Sequence, residues 1–285
     1  MARSAAPGQL VAIDLPAGRR LAGVVADLWE RRVPFVIVDQ RLPARDRAAI
    51  VDRAQPSYLV TLGDEVLFAD GAPVADGVGA IVATSGTRGV PRLAELSRAG
   101  LRHALRAGDV ALGDGAREPW VACLPPSHVA GLLVLLRGIE VGHPLTLHET
   151  FDAARLVDAG PAWASVVPTM VARLVALGAP LSGLALLVGG GPLDPDLRAA
   201  ATEAGARIVT TYGLTETSGG VTYDRRPLGG VEVRIDPEER IEVRGRTVMS
   251  GYRRDPQATA EAFTLDGWLR TGDLGSLEPD GRLSV

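Results

Sequence analysis

Residues 10–39, LVAIDLPAGRRLAGVVADLWERRVPFVIVD, read as strand, helix, strand. LVAIDL (10–15) is an apolar run of strand length, RRLAGVVADLWERR (19–32) has a helical period, and PFVIVD (34–39) is a second apolar run. Mostly apolar strands separated by helices belong in parallel sheets covered on both faces. The same alternation continues downstream. PARDRAAIVDRA (43–54), SRAGLRHALRAG (97–108), HVAGLLVLLRGI (128–139), PTMVARLVAL (168–177) and PDLRAAATEAG (195–205) are the helical segments. YLVTL (58–62), AIVAT (80–84), WVACL (120–124), PLTL (144–147), WASVV (163–167), LALLV (184–188) and RIVTTY (207–212) are the strands between them. The predicted fold is therefore α/β, with layered, mostly parallel sheets flanked by helices.

The pattern changes near residue 219. GVEVRID, RIEVRG and TVMSGYRR are short, alternating and turn-bounded, which predicts a small antiparallel β subdomain. DPQATAEAFTLDGW reads as a short helix and turn, and EPDG as the turn of a hairpin whose return strand begins at RLSV. The predicted organisation is an α/β core over 1–218 and a β-rich subdomain over 219–285.

Composition removes several function classes. A formal net charge of −4 lacks the basic excess of a nucleic-acid binder. No apolar run approaches the about 18 to 20 residues of a membrane span, and no signal-peptide pattern opens the chain, so the expected location is the cytoplasm without membrane insertion. The lone Cys123 excludes an internal disulfide framework and any multi-cysteine zinc site. All 30 basic residues are arginine. Without a lysine there is no Walker A loop, no kinase strand lysine and no PLP Schiff base. Neither Gly-x-Ser-x-Gly nor His-Glu-x-x-His occurs, and His103, His128, His143 and His148 have no metal-ligand spacing.

Three segments carry chemistry. IVATSGTRGVPR (81–92) passes from strand to hydroxyls, glycines and two arginines. Backbone amides freed by glycine bind phosphate oxygens, and Arg88 and Arg92 add positive charge. A plain polar turn between strand and helix fits the same residues. TTYGLTETSGG (210–220) places Tyr212, Gly213, Thr215, Glu216 and Thr217 after a strand. A single carboxylate beside phosphates suits Mg²⁺, whose remaining positions are filled by water, and an aromatic ring at a strand end can stack on a purine. A surface loop is the bland alternative. DGWLRTGDLG (266–275) sets Asp273 after a glycine, where a carboxylate can accept both ribose hydroxyls, although alone it reads as an ordinary turn.

The order and spacing of these segments resemble the acyl-adenylate-forming superfamily of acyl-CoA synthetases, adenylation domains and luciferases. LPPSHVAGLLVLLRG (124–138) is similar to the family's segment lining the acyl pocket, and LLVGGGPLDPDL (186–197) to its glycine turn beside adenine. TYGLTETSGGVTYDRRPLGGVEVRI (211–235) further resembles the actinobacterial o-succinylbenzoate–CoA ligases of menaquinone biosynthesis. The resemblance implies ATP-dependent activation of a carboxylic acid as acyl-adenylate, followed by thioester formation with coenzyme A. Its cofactors and substrates would be ATP, Mg²⁺ and coenzyme A, with a small-molecule acid as partner.

Carried onto these positions, the resemblance assigns Thr84, Ser85, Gly86, Thr87 and Gly89 to the pyrophosphate, with Arg92 in the family's lysine place. It assigns Gly189, Gly190, Gly191, Tyr212 and Gly213 to the nucleotide, Thr215 to the α-phosphate, Glu216 to Mg²⁺ and Asp273 to ribose. His128, Val129, Gly131, Gly190, Ser218 and Gly219 would border the acid. Two departures stand out. The loop reads Ser-Gly-Thr-Arg-Gly-Val-Pro-Arg-Leu where the family has Ser-Gly-Thr-Thr-Gly-x-Pro-Lys-Gly, and arginine and lysine are not interchangeable at a shaped phosphate site. Family members also continue beyond DGRLSV into a hinge and a lysine-bearing C-terminal domain. The expectation is thus the family's large N-terminal domain, with low turnover alone. Another acid, or a non-catalytic nucleotide-binding module, also fits these residues.

Overall fold

The computed structural model describes residues 5–68, 70–84, 91–113, 118–160 and 162–285. The first sheet begins with β1 (Val11–Ile13), β2 (Phe35–Ile37), β3 (Tyr58–Val60), β4 (Glu65–Leu67), β5 (Val78–Ala83) and β6 (Leu93–Ser97). Helices α1 (Arg19–Glu30) and α2 (Ala44–Ala54) connect its first strands, and α3 (Arg98–Leu112) leaves it. The second sheet contains β7 (Trp120–Ala122), β8 (Leu145–Leu147), β9 (Ala162–Val166), β10 (Leu184–Val188), β11 (Arg207–Leu214), β12 (Gly219–Tyr223) and β13 (Arg226–Pro227). Its connections are α4 (Val129–Leu136), α5 (Ala153–Asp158), α6 (Pro168–Ala176) and α7 (Pro195–Glu203). A smaller sheet pairs β14 (Val231–Ile235) with β15 (Arg240–Gly245). The chain then forms β16 (Gly251–Tyr252), α8 (Pro256–Ala262), β17 (Leu269–Leu274) and the hairpin β18 (Ser276–Leu277) and β19 (Leu283–Ser284).

Strand periodicity sorts the side chains into layers, because successive residues of a strand face opposite sides. Val11 and Ile13 join the central core, while Leu10 and Ala12 join the outer core of the first sheet with Ile50 and Ala54 of α2. Trp163, Ala185 and Leu187 face the central core, whereas Ala162, Ala164, Leu184 and Leu186 pack outward with α5, α6 and α7. The central core is filled by Leu21, Val25 and Leu28 of α1, Leu101 and Leu105 of α3, and Leu132, Leu135 and Leu136 of α4. The layers therefore run helix, sheet, helices, sheet, helices, as the alternation predicts.

Both seven-stranded sheets are parallel at their centres, through β5-β2-β1-β3 and β11-β10-β9-β7-β8. The first sheet is antiparallel at both margins, and the second only at its β12-β13 margin. β6 pairs antiparallel with β5, and β16 returns from far downstream to pair with β6. LAELS (93–97) is absent from the strands read in the sequence because Glu95 interrupts its apolar run. In the fold that carboxylate meets the buried Arg253 at 3.3 Å, so a polar residue is tolerated inside the sheet. The segment after β5 consequently leads into a second strand and not into a helix, and α3 starts only after β6, capped by the Ser97 hydroxyl. The antiparallel three-stranded sheet β14-β15-β17 begins at Val231, and residues 219–227 still belong to the second sheet.

Candidate active site

Glu216 lies in a tight turn, Thr215–Thr217, that follows β11. The turn is fastened from behind. The Thr217 hydroxyl accepts from the Leu214 N–H at 3.0 Å and lies 2.7 Å from the Gly219 carbonyl. The Met249 N–H donates to the Glu216 carbonyl at 2.7 Å. Thr217 is buried, whereas the Thr215 and Glu216 side chains remain partly exposed. Among the described residues no group of three or more His, Cys, Asp or Glu side chains could hold a metal ion. A cation at Glu216 would thus rely on one protein carboxylate, with ligand and water oxygens completing its shell, which is a magnesium-like donor set.

Two tyrosines extend the site from this turn. The Tyr252 hydroxyl donates to Glu216 Oε1 at 2.8 Å, and the Arg92 guanidinium lies 5.2 Å from the centre of the Tyr252 ring. The Tyr212 hydroxyl donates to Asp273 Oδ2 at 2.8 Å. Burial raises both phenol pKa values, and the neighbouring carboxylates push them the same way, so both hydroxyls stay protonated donors at neutral pH. Asp273 follows Gly272 in β17, and its N–H donates to the Thr271 hydroxyl at 3.1 Å. Two sets of contacts, Asp273–Tyr212 and Glu216–Tyr252–Arg92, therefore meet on one stretch of chain, β11 and the turn that follows it.

Thr84 and Arg92 flank the hydroxyl-rich loop, and the Thr84 N–H donates to the Arg92 carbonyl at 2.8 Å. Ser85, Gly86, Thr87, Arg88 and Gly89 lie outside the described residues. The glycine turn follows β10. Gly189 donates to the Val166 carbonyl at 3.1 Å, and a Cβ there would meet Thr211 Cγ2 at 2.7 Å, so the turn abuts the strand that carries Tyr212. Gly190 and Gly191 are exposed. Gly213 pairs with Gly220 across β11 and β12.

The residues expected around the acid divide. His128 occupies the N-cap position of α4 without a side-chain capping bond, and the following Val129 and Leu133 approach Gly219, where a Cβ would come within 2.6 Å of Leu133 Cδ1. Gly219 also has a φ of 96°, so its lack of a side chain is doubly required. Two residues point away from such a pocket. Gly131 is buried with its α-carbon against the Pro125 carbonyl, which a Cβ would meet at 2.2 Å, so it is a packing glycine. Ser218 is fully buried in the left-handed region (φ 53°), and its hydroxyl donates to the Thr247 carbonyl at 2.7 Å.

His128 has partners that the sequence does not announce. Arg41 grips Asp39 with both Nε and Nη2, at 2.9 and 2.6 Å, and Arg41 Nη2 lies 2.9 Å from His128 Nε2. A guanidinium only donates, so Nε2 accepts and the proton of a neutral imidazole sits on Nδ1. Partial burial of the ring lowers the His128 pKa, although Asp39 at 3.4 Å opposes this. Burial pushes the Cys123 thiol up to about 12, which makes it no nucleophile. Tyr252, Asp39 and Arg41 escaped the sequence reading because each acts through a residue remote in the chain. The only sequence signal was their position at the ends of apolar or alternating runs.

A family model described as AMP-binding enzyme matches residues 69–253. The chain is 37% identical over 221 residues to a probable 2-succinylbenzoate–CoA ligase of Mycobacterium tuberculosis, covering 73% of this chain and 57% of that protein. It is 33% identical over 239 residues to the 2-succinylbenzoate–CoA ligase of Bacillus licheniformis, covering 74% of this chain and 49% of that protein. The chain thus spans about half the length of these relatives. Among solved structures, o-succinylbenzoate coenzyme A synthetase (MenE) of Bacillus subtilis in complex with ATP and magnesium superposes with a TM-score of 0.87 at 23% identity, covering 100% of this chain and 70% of that one. The N-terminal domain of FACL13 from Mycobacterium tuberculosis gives 0.84 at 20% identity, covering 99% and 87%. At these identities the structural likeness concerns the fold.

Proposed function

The chain belongs to the AMP-binding enzyme family, and on that premise we propose that its site activates a carboxylic acid with Mg-ATP for transfer to coenzyme A. The acid of first choice is o-succinylbenzoate, which the names of the relatives include. A carboxylate oxygen of the acid attacks the α-phosphorus of ATP while the bond to the bridging oxygen breaks, giving acyl-adenylate and pyrophosphate. The coenzyme A thiol, losing its proton, then attacks the acyl carbon, and AMP leaves. No protein nucleophile takes part; the protein positions the reactants and stabilises developing charge.

The observation that carries the reading is the set of contacts Asp273–Tyr212 and Glu216–Tyr252–Arg92, which draws segments from across the chain to β11 and the turn that follows it. In this arrangement, Asp273 takes the ribose hydroxyls and Tyr212 packs on adenine beside Gly189, Gly190 and Gly191, with Gly213 completing the turn. Thr215 reaches the α-phosphate, and Glu216 holds the magnesium that arrives with ATP. Thr84, Ser85, Gly86, Thr87 and Gly89, with Arg92, embrace the leaving pyrophosphate. The sheet β14-β15-β17, which carries Asp273, closes the nucleotide side of the site. His128 and Val129 border the acid beside Gly219. Being neutral and an acceptor from Arg41, His128 shapes that wall without supplying a proton.

Among the described residues no helix is long and apolar enough to cross a membrane, and the proposed setting is the cytoplasm with small-molecule partners. Calorimetric titration of the chain with ATP and Mg²⁺, paired with ATP–pyrophosphate exchange over a panel of acids, tests the proposal. Nucleotide binding with exchange driven by o-succinylbenzoate is expected. Exchange with a different acid would replace the substrate, and absence of nucleotide binding would refute the reading.

A further inference from the structure

Tyr252 stands between two residues of the proposed nucleotide site that belong to different parts of the chain. Arg92 immediately precedes β6, Glu216 lies in the turn after β11, and Tyr252 is on β16, the strand that comes back to pair with β6. Its main chain is fixed on both sides. The Tyr252 N–H donates to the Thr259 hydroxyl of α8 at 2.8 Å, and the Arg253 N–H donates to the Leu93 carbonyl at 2.7 Å. The buried Arg253 side chain donates to the Ala54, Pro73 and Ala72 carbonyls at 3.1, 2.7 and 2.7 Å, locking the strand to the first sheet. The turn carrying Glu216 is tied to the same segment by the Met249 N–H. Position 252 therefore has little freedom, and its side chain bridges the edge of the first sheet to the end of β11.

We propose that Tyr252 is a positioning residue for Mg-ATP: its ring seats the Arg92 guanidinium and its hydroxyl orients the Glu216 carboxylate, so that the two charged groups act as one unit. This rests on the nucleotide reading given above. The two halves of the side chain do separable work. The ring face attracts the cation whether or not the hydroxyl is present. The hydroxyl holds one carboxylate oxygen, which sets the direction in which the other accepts a cation. A phenylalanine would keep the first function and lose the second, whereas a leucine would lose both.

Calorimetric titration of ATP into the chain at graded Mg²⁺ concentrations, and again in EDTA, separates these functions. Tyr252→Phe is expected to raise the Mg²⁺ concentration for half-maximal ATP binding about fivefold, with the Kd in EDTA changed by less than about twofold. Tyr252→Leu is expected to weaken ATP binding in EDTA as well, by about threefold, because Arg92 loses its seat. A Tyr252→Phe variant with the wild-type Mg²⁺ dependence overturns the proposal. So does a parallel weakening in Mg²⁺ and in EDTA accompanied by a lower melting temperature, which is the signature of a purely structural tyrosine. Wild-type chain that binds no ATP at any Mg²⁺ concentration removes the nucleotide reading and this inference with it, a result distinct from either of those.

Discussion

Tyr212→Phe isolates the hydrogen bond between Tyr212 and Asp273 while keeping the aromatic ring. The hydroxyl donates to the carboxylate across 2.8 Å, and both side chains are partly exposed. A hydrogen bond to an ionised group contributes about 1.5 to 3 kcal/mol net. Partial access of water brings this to the low end or below, about 1 kcal/mol, which is about fivefold in an equilibrium constant. The bond orients a carboxylate assigned to the ribose hydroxyls, so this loss should appear in nucleotide affinity. The expected result is an AMP Kd about fivefold higher for Tyr212→Phe by calorimetry, with little change in melting temperature. Asp273→Asn should cost more, because an amide presents one acceptor oxygen in place of two. In the double variant the losses should be non-additive by about 1 kcal/mol, since the two residues share one interaction. A Tyr212→Phe Kd within about twofold of wild type, or additive losses, would refute the idea that Tyr212 aims Asp273 at a ligand.

Three further outcomes are expected. Arg253→Met deprives three carbonyls and Glu95 of a donor that is only 4% exposed, a loss of about 3 to 5 kcal/mol. Differential scanning calorimetry should then show a melting temperature lower by about 6 to 20 °C, and a fall below about 3 °C would contradict the anchoring role. Arg41 holds the Asp39 carboxyl at about 2 against an ordinary 3.8, so its stabilisation is complete above about pH 4 and is lost as pH falls towards 2. Asp39→Asn should therefore lose about 1 kcal/mol at pH 7, discounted because Arg41 is 60% exposed, and should lose less stability than wild type between pH 4 and 2; urea midpoints that fall in parallel would disprove it. Arg92→Lys keeps a cation over the Tyr252 ring and should change the ATP KM in pyrophosphate exchange by less than about threefold, whereas a loss above tenfold would mean that the guanidinium itself is required.

The layers were legible because they follow from local periodicity. Trp163 between Ala162 and Ala164 already implies opposite faces, and the structure puts them in different cores. The hairpin at the EPDG turn was likewise legible, its turn bonded from Gly281 to Glu278. Pairings across long loops were not. Glu95 makes β6 look unlike a core strand until Arg253 arrives, 158 residues away. Ser218 and Gly131 sit within motifs that read as ligand-facing, yet a left-handed backbone turns one hydroxyl to Thr247 and close packing presses the other residue on Pro125.

The sequence by itself determined an α/β chain without lysine chemistry, carrying Thr84, Tyr212, Glu216 and Asp273 in a recognisable order. Those properties depend on residue identity and short spacing, which need no knowledge of what packs where. Only the tertiary structure decided that Tyr252 links Arg92 to Glu216, that Tyr212 holds Asp273, and that Arg41 makes His128 an acceptor. Strand order and register set these contacts: β16 reaches the site only because it pairs with β6, and no local pattern encodes a partner across a sheet edge.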